Sequence, residues 1–110
     1  FPKNIKLYKG WFKDTLPEWK LQHPGPIAFI HIDSDLYSSC KETLDILNEQ
    51  IVPGTVLAFD EIINFRGTKK LGNWYEHEWK ALNEWIVEKE RQVEPATRNF
   101  AYQASCVVTV

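Results

Sequence analysis

The chain has 110 residues, and 13 Lys+Arg against 15 Asp+Glu leave a formal net charge of −2 with the histidines neutral. That length allows one domain, and 44% hydrophobic with 25% charged residues is ordinary globular composition, with no basic excess to favour nucleic acid or an anionic membrane surface. No apolar run approaches the roughly 18 residues of a membrane span, and no charged segment leads into an apolar one at the start. Cys40 and Cys106 are too far apart for a CxxC motif, so reduced thiols in a cytoplasmic protein are the expectation. With Phe1 first and no methionine anywhere, the chain is expected to be part of a larger protein.

In chain order, Ile5 to Lys9 alternates and stops at Gly10, which predicts a short strand and turn. Ile27-Ala-Phe-Ile-His-Ile32 follows Pro24-Gly25-Pro26 and ends at Asp33, the pattern of a strand buried on both faces in a parallel sheet. Leu36, Cys40, Leu44, Leu47 and Ile51 form one helical stripe, closed by Pro53-Gly54. Asp35 is a candidate cap for it, with a capping box at Ser39 and Glu42 as the alternative. Thr55 to Phe59 is again apolar and ends in Asp60-Glu61, which completes a βαβ unit. Residues 62–73 hold Gly67 and Gly72 without a clear period and read as a loop. Tyr75, Trp79, Leu82 and Ile86 mark a second helix, with Glu76 and Lys80 spaced as an i,i+4 pair. Phe100 to Val110 supplies a last strand, paired with a segment near Val93 to Asn99. The sum is an α/β protein, a mostly parallel sheet with helices on both faces and an antiparallel C-terminal end.

In open α/β sheets ligands bind at the carboxyl ends of the strands, and here both strong strands end in acids. Asp33 and Asp35 follow one, Asp60 and Glu61 the other. Four carboxylates on one edge repel each other, and a hard divalent cation such as Mg2+ removes that strain by taking oxygen ligands. The plainer reading, with about equal weight on spacing alone, makes Asp35 a helix cap and the others solvated strand ends. His31 shares a face with Asp33, although a histidine within an apolar strand is more often a packed one. His77-Glu78 lacks the second histidine of a zinc protease motif, since position 81 is Ala81. Trp79 and Trp85 fall at spacings suited to packing, which leaves Trp74 beside the loop.

Three segments in order carry a resemblance: Lys9-Gly-Trp-Phe-Lys-Asp-Thr-Leu16, His31-Ile-Asp33-Ser-Asp35-Leu-Tyr37-Ser-Ser39, and Val52-Pro-Gly-Thr-Val-Leu-Ala-Phe-Asp60-Glu61. Together they resemble the C-terminal half of the macrocin O-methyltransferase family, which are class I S-adenosylmethionine-dependent enzymes. The resemblance implies a Rossmann-like fold with strand order 3-2-1-4-5-7-6, of which residues 1–110 supply strands 3 to 7 of a single domain. It implies Asp33, Asp60 and Glu61 as metal ligands, with Mg2+ the expected ion, and a small-molecule hydroxyl as acceptor, such as a sugar on a natural product. Asp35 is the candidate general base, and Asp33 acts beside it in catalysis. Gly10-Trp11-Phe12 would line the adenine pocket of S-adenosylmethionine, with core packing of Trp11 and Phe12 the alternative, and Tyr37 would touch the acceptor or cover the helix start. Relatives often self-associate, so a homo-oligomer is open to the larger protein.

The departure from the family is large. The glycines Gly10, Gly25, Gly54, Gly67 and Gly72 are isolated, so no glycine-rich cofactor turn is present. The N-terminal cofactor-binding part is therefore missing, and the isolated chain is expected to be inactive, with the strand at Ala28 to Ile32 left as an apolar edge. Two other functions compete. An apolar strand followed by DxD also opens phosphatases of the haloacid dehalogenase type, with Asp33 as nucleophile and Asp35 as acid/base, although Tyr37 stands where those enzymes carry Thr or Val. The other is a non-catalytic α/β fragment.

Overall fold

A computed structural model describes residues 2–34, 36–60, 76–98 and 103–110. The segment from Ile5 to Lys9 is not a strand there. Alternation makes a strand only when a neighbouring strand takes its amides and carbonyls, and among the described residues no strand pairs with it; the Ile5 N–H turns back to the Pro2 carbonyl at 3.0 Å, and Ile5 and Leu7 are exposed. The first element is instead a helix that periodicity did not reveal, α1 (Phe12–Gln22). Pro17 inside it removes one main-chain hydrogen bond, and none of its residues is fully buried, so its apolar stripe is faint. Tertiary contacts fix it. Leu16 and Trp19 pack on the core, and Lys20 Nζ donates to the Ile46 carbonyl at 2.7 Å and to Glu49 at 3.1 Å.

Strand β1 (Ile27–Ile32) has the expected bounds, and helix α2 (Tyr37–Ile46) follows with Cys40, Thr43 and Leu44 buried. Leu36 is its N-cap and no side chain caps it, so the Ser39–Glu42 capping box does not form, and the Asp35 cap lies outside the described residues. The stripe also overran the helix: a 3-10 turn at Asn48–Gln50 intervenes, and Ile51 opens strand β2 (Ile51–Phe59). Polar side chains impose that exit. Asn48 Oδ1 accepts from Trp85 Nε1 and Arg91, while the Gln50 amide donates to the carbonyls of His23 and Gly25. Pro53 and Gly54 therefore punctuate a strand, not a helix end. Pairing moves from Ile27 opposite Ile51 to Phe29 opposite Val56, and Gly54 takes φ +100° in the slack. Thr55 Oγ1 closes the irregularity, donating to the Ile27 carbonyl and accepting from Val52 N–H.

Helix α3 (Glu78–Glu88) buries Glu78, Ala81, Leu82 and Trp85, whereas Trp79 is 38% exposed. Lys80 pairs with Glu84 at 3.7 Å instead of with Glu76, and its ammonium stands over the Tyr37 ring. Tyr75 and the 62–73 loop lie outside the described residues. Strands β3 (Val93–Arg98) and β4 (Ala104–Val108) form the expected antiparallel pair, with Pro95 tolerated because β3 is an edge.

The order is β1-β2-β4-β3, with β1 and β2 parallel and the other two pairings antiparallel. The sheet is mixed rather than mostly parallel, because β4 enters between β2 and β3 against both. Its inner face, Ile32, Leu57, Phe59, Cys106 and Val108, meets Cys40, Leu44 and Leu47 of the α2 segment and Ala81, Leu82 and Trp85 of α3. The described helices all join this core, which corrects the expectation of helices on both faces. On the opposite face Phe29 is 57% exposed, in line with His31, Val56, Ala58, Ser105 and Val107. Among the described residues β1 is thus an edge strand with one face uncovered, in place of the expected strand buried on both sides.

Candidate active site at the strand ends

The parallel pairing of β1 with β2 runs one residue past the end of β2. Asp60 N–H donates to the Ile32 carbonyl at 3.0 Å, which sets Asp60 beside the point where Asp33 leaves β1. Adjacent strands lie about 4.8 Å apart, so two acids are brought together at one sheet edge. Asp33 is exposed and Asp60 half-buried. Gln103, just before β4, donates from Nε2 to Asp60 Oδ1 at 2.7 Å, and His31 Nε2 stands 3.8 Å from the same oxygen. His31 is therefore not a packed core histidine; its side chain is half exposed on the open face next to an acid. Asp35 and Glu61, the other two expected acids, lie outside the described residues. Among the described residues no three His, Cys, Asp or Glu side chains cluster closely enough to hold a metal.

Gly10, Trp11 and Phe12 meet at the start of α1. Gly10 takes φ +142°, a conformation L side chains rarely adopt, and a Cβ there would stand 3.1 Å from Thr15 Cγ2. Trp11 is 76% exposed and Phe12 41% exposed, so the alternative of core packing fails. Both present aromatic surface to whatever approaches the turn. Tyr37 opens α2 and packs on the core at the helix start, and its hydroxyl donates to Glu84 Oε1 at 2.5 Å and ties α2 to α3. That bond, aided by burial and the Glu84 charge, holds the phenol above its ordinary pKa.

Two residues at this edge escaped the sequence reading. Glu78 is fully buried in the first turn of α3, and its Oε2 accepts from Ser34 N–H at 3.3 Å and Ser34 Oγ at 3.5 Å. Gln103 is the other, and no local pattern links it to Asp60 across 43 positions. For Glu78 a signal existed: positions 78, 82 and 85 share a helical stripe with two large apolar residues.

A parallel strand pair joined by a helix, acids at the carboxyl ends and an antiparallel extension define a Rossmann-like α/β protein of the kind that includes class I methyltransferases. Solved structures agree in fold. The O-methyltransferase NovP superposes with a TM-score of 0.72 at 23% identity, covering 98% of this chain and 39% of its own. The apo structure of CalS11, a TDP-rhamnose 3'-O-methyltransferase in calicheamicin biosynthesis, gives 0.68 at 24% identity, covering 92% and 41%. A Streptomyces olivaceus relative, 8-demethyl-8-(2,3-dimethoxy-alpha-L-rhamnosyl)-tetracenomycin-C 4'-O-methyltransferase, is 37% identical over 57 residues, 52% of this chain and 21% of that one. The macrocin O-methyltransferase (TylF) family model matches residues 2–89, and the chain belongs to that family. Membership sets aside the haloacid dehalogenase reading. The chain spans well under half the length of these relatives.

Proposed function

We propose that this chain carries the strand-end half of the active site of an S-adenosylmethionine-dependent O-methyltransferase, acting on a hydroxyl of a sugar or sugar-bearing natural product. The observation that carries this reading is the placement of Asp33 and Asp60 at adjacent strand ends, in a chain of this family. The order β1-β2-β4-β3 supports it, being what strands 4, 5, 7 and 6 of the family would give. The acceptor class is supported by the rhamnosyl and TDP-rhamnose substrates named for the relatives.

In this proposal Asp33, Asp60 and Glu61 hold Mg2+, and the hard oxygen character of all three suits that ion. When bound, Mg2+ would orient the acceptor hydroxyl and lower its pKa. S-adenosylmethionine would supply a methyl group on a sulfonium, which an oxygen nucleophile can take in line. The residues do the rest by placement. Asp35 takes the hydroxyl proton, Gln103 fixes one Asp60 oxygen so that the carboxylate does not turn, and Trp11 with Phe12 offers aromatic surface to the adenine. The test is methyl transfer by the longest natural protein carrying this chain, with TDP-rhamnose as acceptor. Asp60→Asn and Asp33→Asn are each expected to lower kcat by about 100-fold or more, on the scale of a lost electrostatic or ligand group. Wild-type rates in both would refute the shared carboxylate site.

A further inference from the structure

The buried positions of α3 are Glu78, Ala81, Leu82 and Trp85. Three of these four are apolar, as a stripe facing a hydrophobic core should be. The fourth is a carboxylate with no exposed surface, and a buried carboxylate is costly unless hydrogen bonds compensate it. Favouring the helix N-terminus does not explain the burial, because an acid in a first turn has that effect while exposed. What burial achieves is reach. Glu78 Oε2 accepts both the main-chain N–H and the hydroxyl of Ser34, the residue that follows Asp33. Glu78 also lies close enough to Cys40 of α2 that its charge adds to burial in raising that thiol's pKa. The Glu78 side chain thus ties the start of α3 to the loop after β1.

We infer that Glu78 is a positioning residue: from below the sheet edge it holds the Asp33–Ser34 segment in register with Asp60. The inference rests on the reading of Asp33 as a functional acid. An acceptor for a main-chain N–H is well suited to the task, since it fixes the path of the backbone next to the exposed Asp33. Loss of such an outer partner typically lowers metal affinity by about 10–100-fold.

The test compares wild type with Glu78→Leu and Glu78→Gln in two measurements: amide hydrogen exchange at Ser34 by NMR, and calorimetric titration with Mn2+. Leucine suits the apolar neighbours, so the thermal midpoint is expected to hold or rise. Ser34 exchange should nevertheless quicken by about tenfold or more, as a local opening. Mn2+ affinity should fall by about 10–100-fold. Glutamine keeps an acceptor oxygen and should recover most of both losses. Should Glu78→Leu fail to fold, Glu78→Ala is read by the same criteria. Unchanged Ser34 exchange in the folded variant overturns the inference. Absence of Mn2+ binding by the wild type would refute the metal reading instead, and the exchange result would still decide the role of Glu78.

Discussion

The Cys106 thiol lies on the inner face of the sheet at 7% exposure, and burial pushes its pKa up to about 11 from an ordinary 9.0. Cys40, fully buried, is raised further by burial and by Glu78. The sign of the linkage follows from the raised folded value. The contribution is complete below pH 9, where both states hold the proton, and is lost as pH climbs through about 11, where only the folded state still favours it. A Cys106→Ala variant is therefore expected to lose less stability than wild type between pH 8 and 11, by up to about 2 kcal/mol in urea melts. Equal losses would show that the thiol is not held neutral by the fold. At this scale the sequence was legible where a residue's meaning is local. The strand-end positions of Asp33 and Asp60 could be read because each ends an apolar run. Glu78 was legible only in part: its place on the stripe of Leu82 and Trp85 signals burial, but its role depends on a partner loop 44 positions away. Gln103 could not be read, since its bond to Asp60 depends on where a distant strand enters the sheet.

Between elements, Arg91 joins several parts of the chain. Its Nε donates to the Val110 carbonyl at 2.8 Å, Nη1 to Asn48 at 3.0 Å and Nη2 to the Ile51 carbonyl at 2.5 Å, while the guanidinium stacks 5.0 Å from the Trp85 ring centroid. The fork thereby closes the end of α3, the 3-10 turn, the start of β2 and the chain beyond β4. Arg91→Ala should cost roughly 2–3 kcal/mol in chemical denaturation, and Arg91→Lys should recover little, because an ammonium cannot span three acceptors in one plane. Full recovery by lysine would reduce the clamp to a simple charge. Lys41 makes a second joint, bonded to Asp45 within α2 and to Glu88 at the end of α3. Burial works against its charge, and the two carboxylates outweigh that and raise its pKa. The elements themselves were mostly readable, β1, β3 and β4 within a few residues, because their patterns survive without context. Helix α1 and the turn at Asn48–Gln50 were not, since one is held by Lys20 and two core contacts and the other by side-chain amides reaching across the chain.

For the molecule as a whole, the open face of the sheet and the outer edge of β1 are its least satisfied surfaces. Among the described residues β1 has one strand neighbour, Phe29 is 57% exposed and the His31 side chain is half exposed. Exposed apolar edges template pairing with other chains, so the 110-residue chain is expected to self-associate with concentration. Phe29→Lys should return it to monomer in sedimentation velocity, at little cost in stability because the ring is already 57% exposed. A monomeric wild type at high concentration would contradict this. The same chain is expected to bind S-adenosylmethionine weakly or not at all, since it carries no glycine-rich turn; tight calorimetric binding would overturn that view. The position of β4 has a further consequence, for the order of events during synthesis. Strand β2 is finished at Phe59, yet its antiparallel neighbour begins only at Ala104, and β3, made earlier, has no partner until that same segment arrives. Contacts so far apart in sequence are entropically slow to form. As the chain leaves the ribosome, the helices and the β1–β2 pair can gather first, and a half-open sheet must wait for its middle strand.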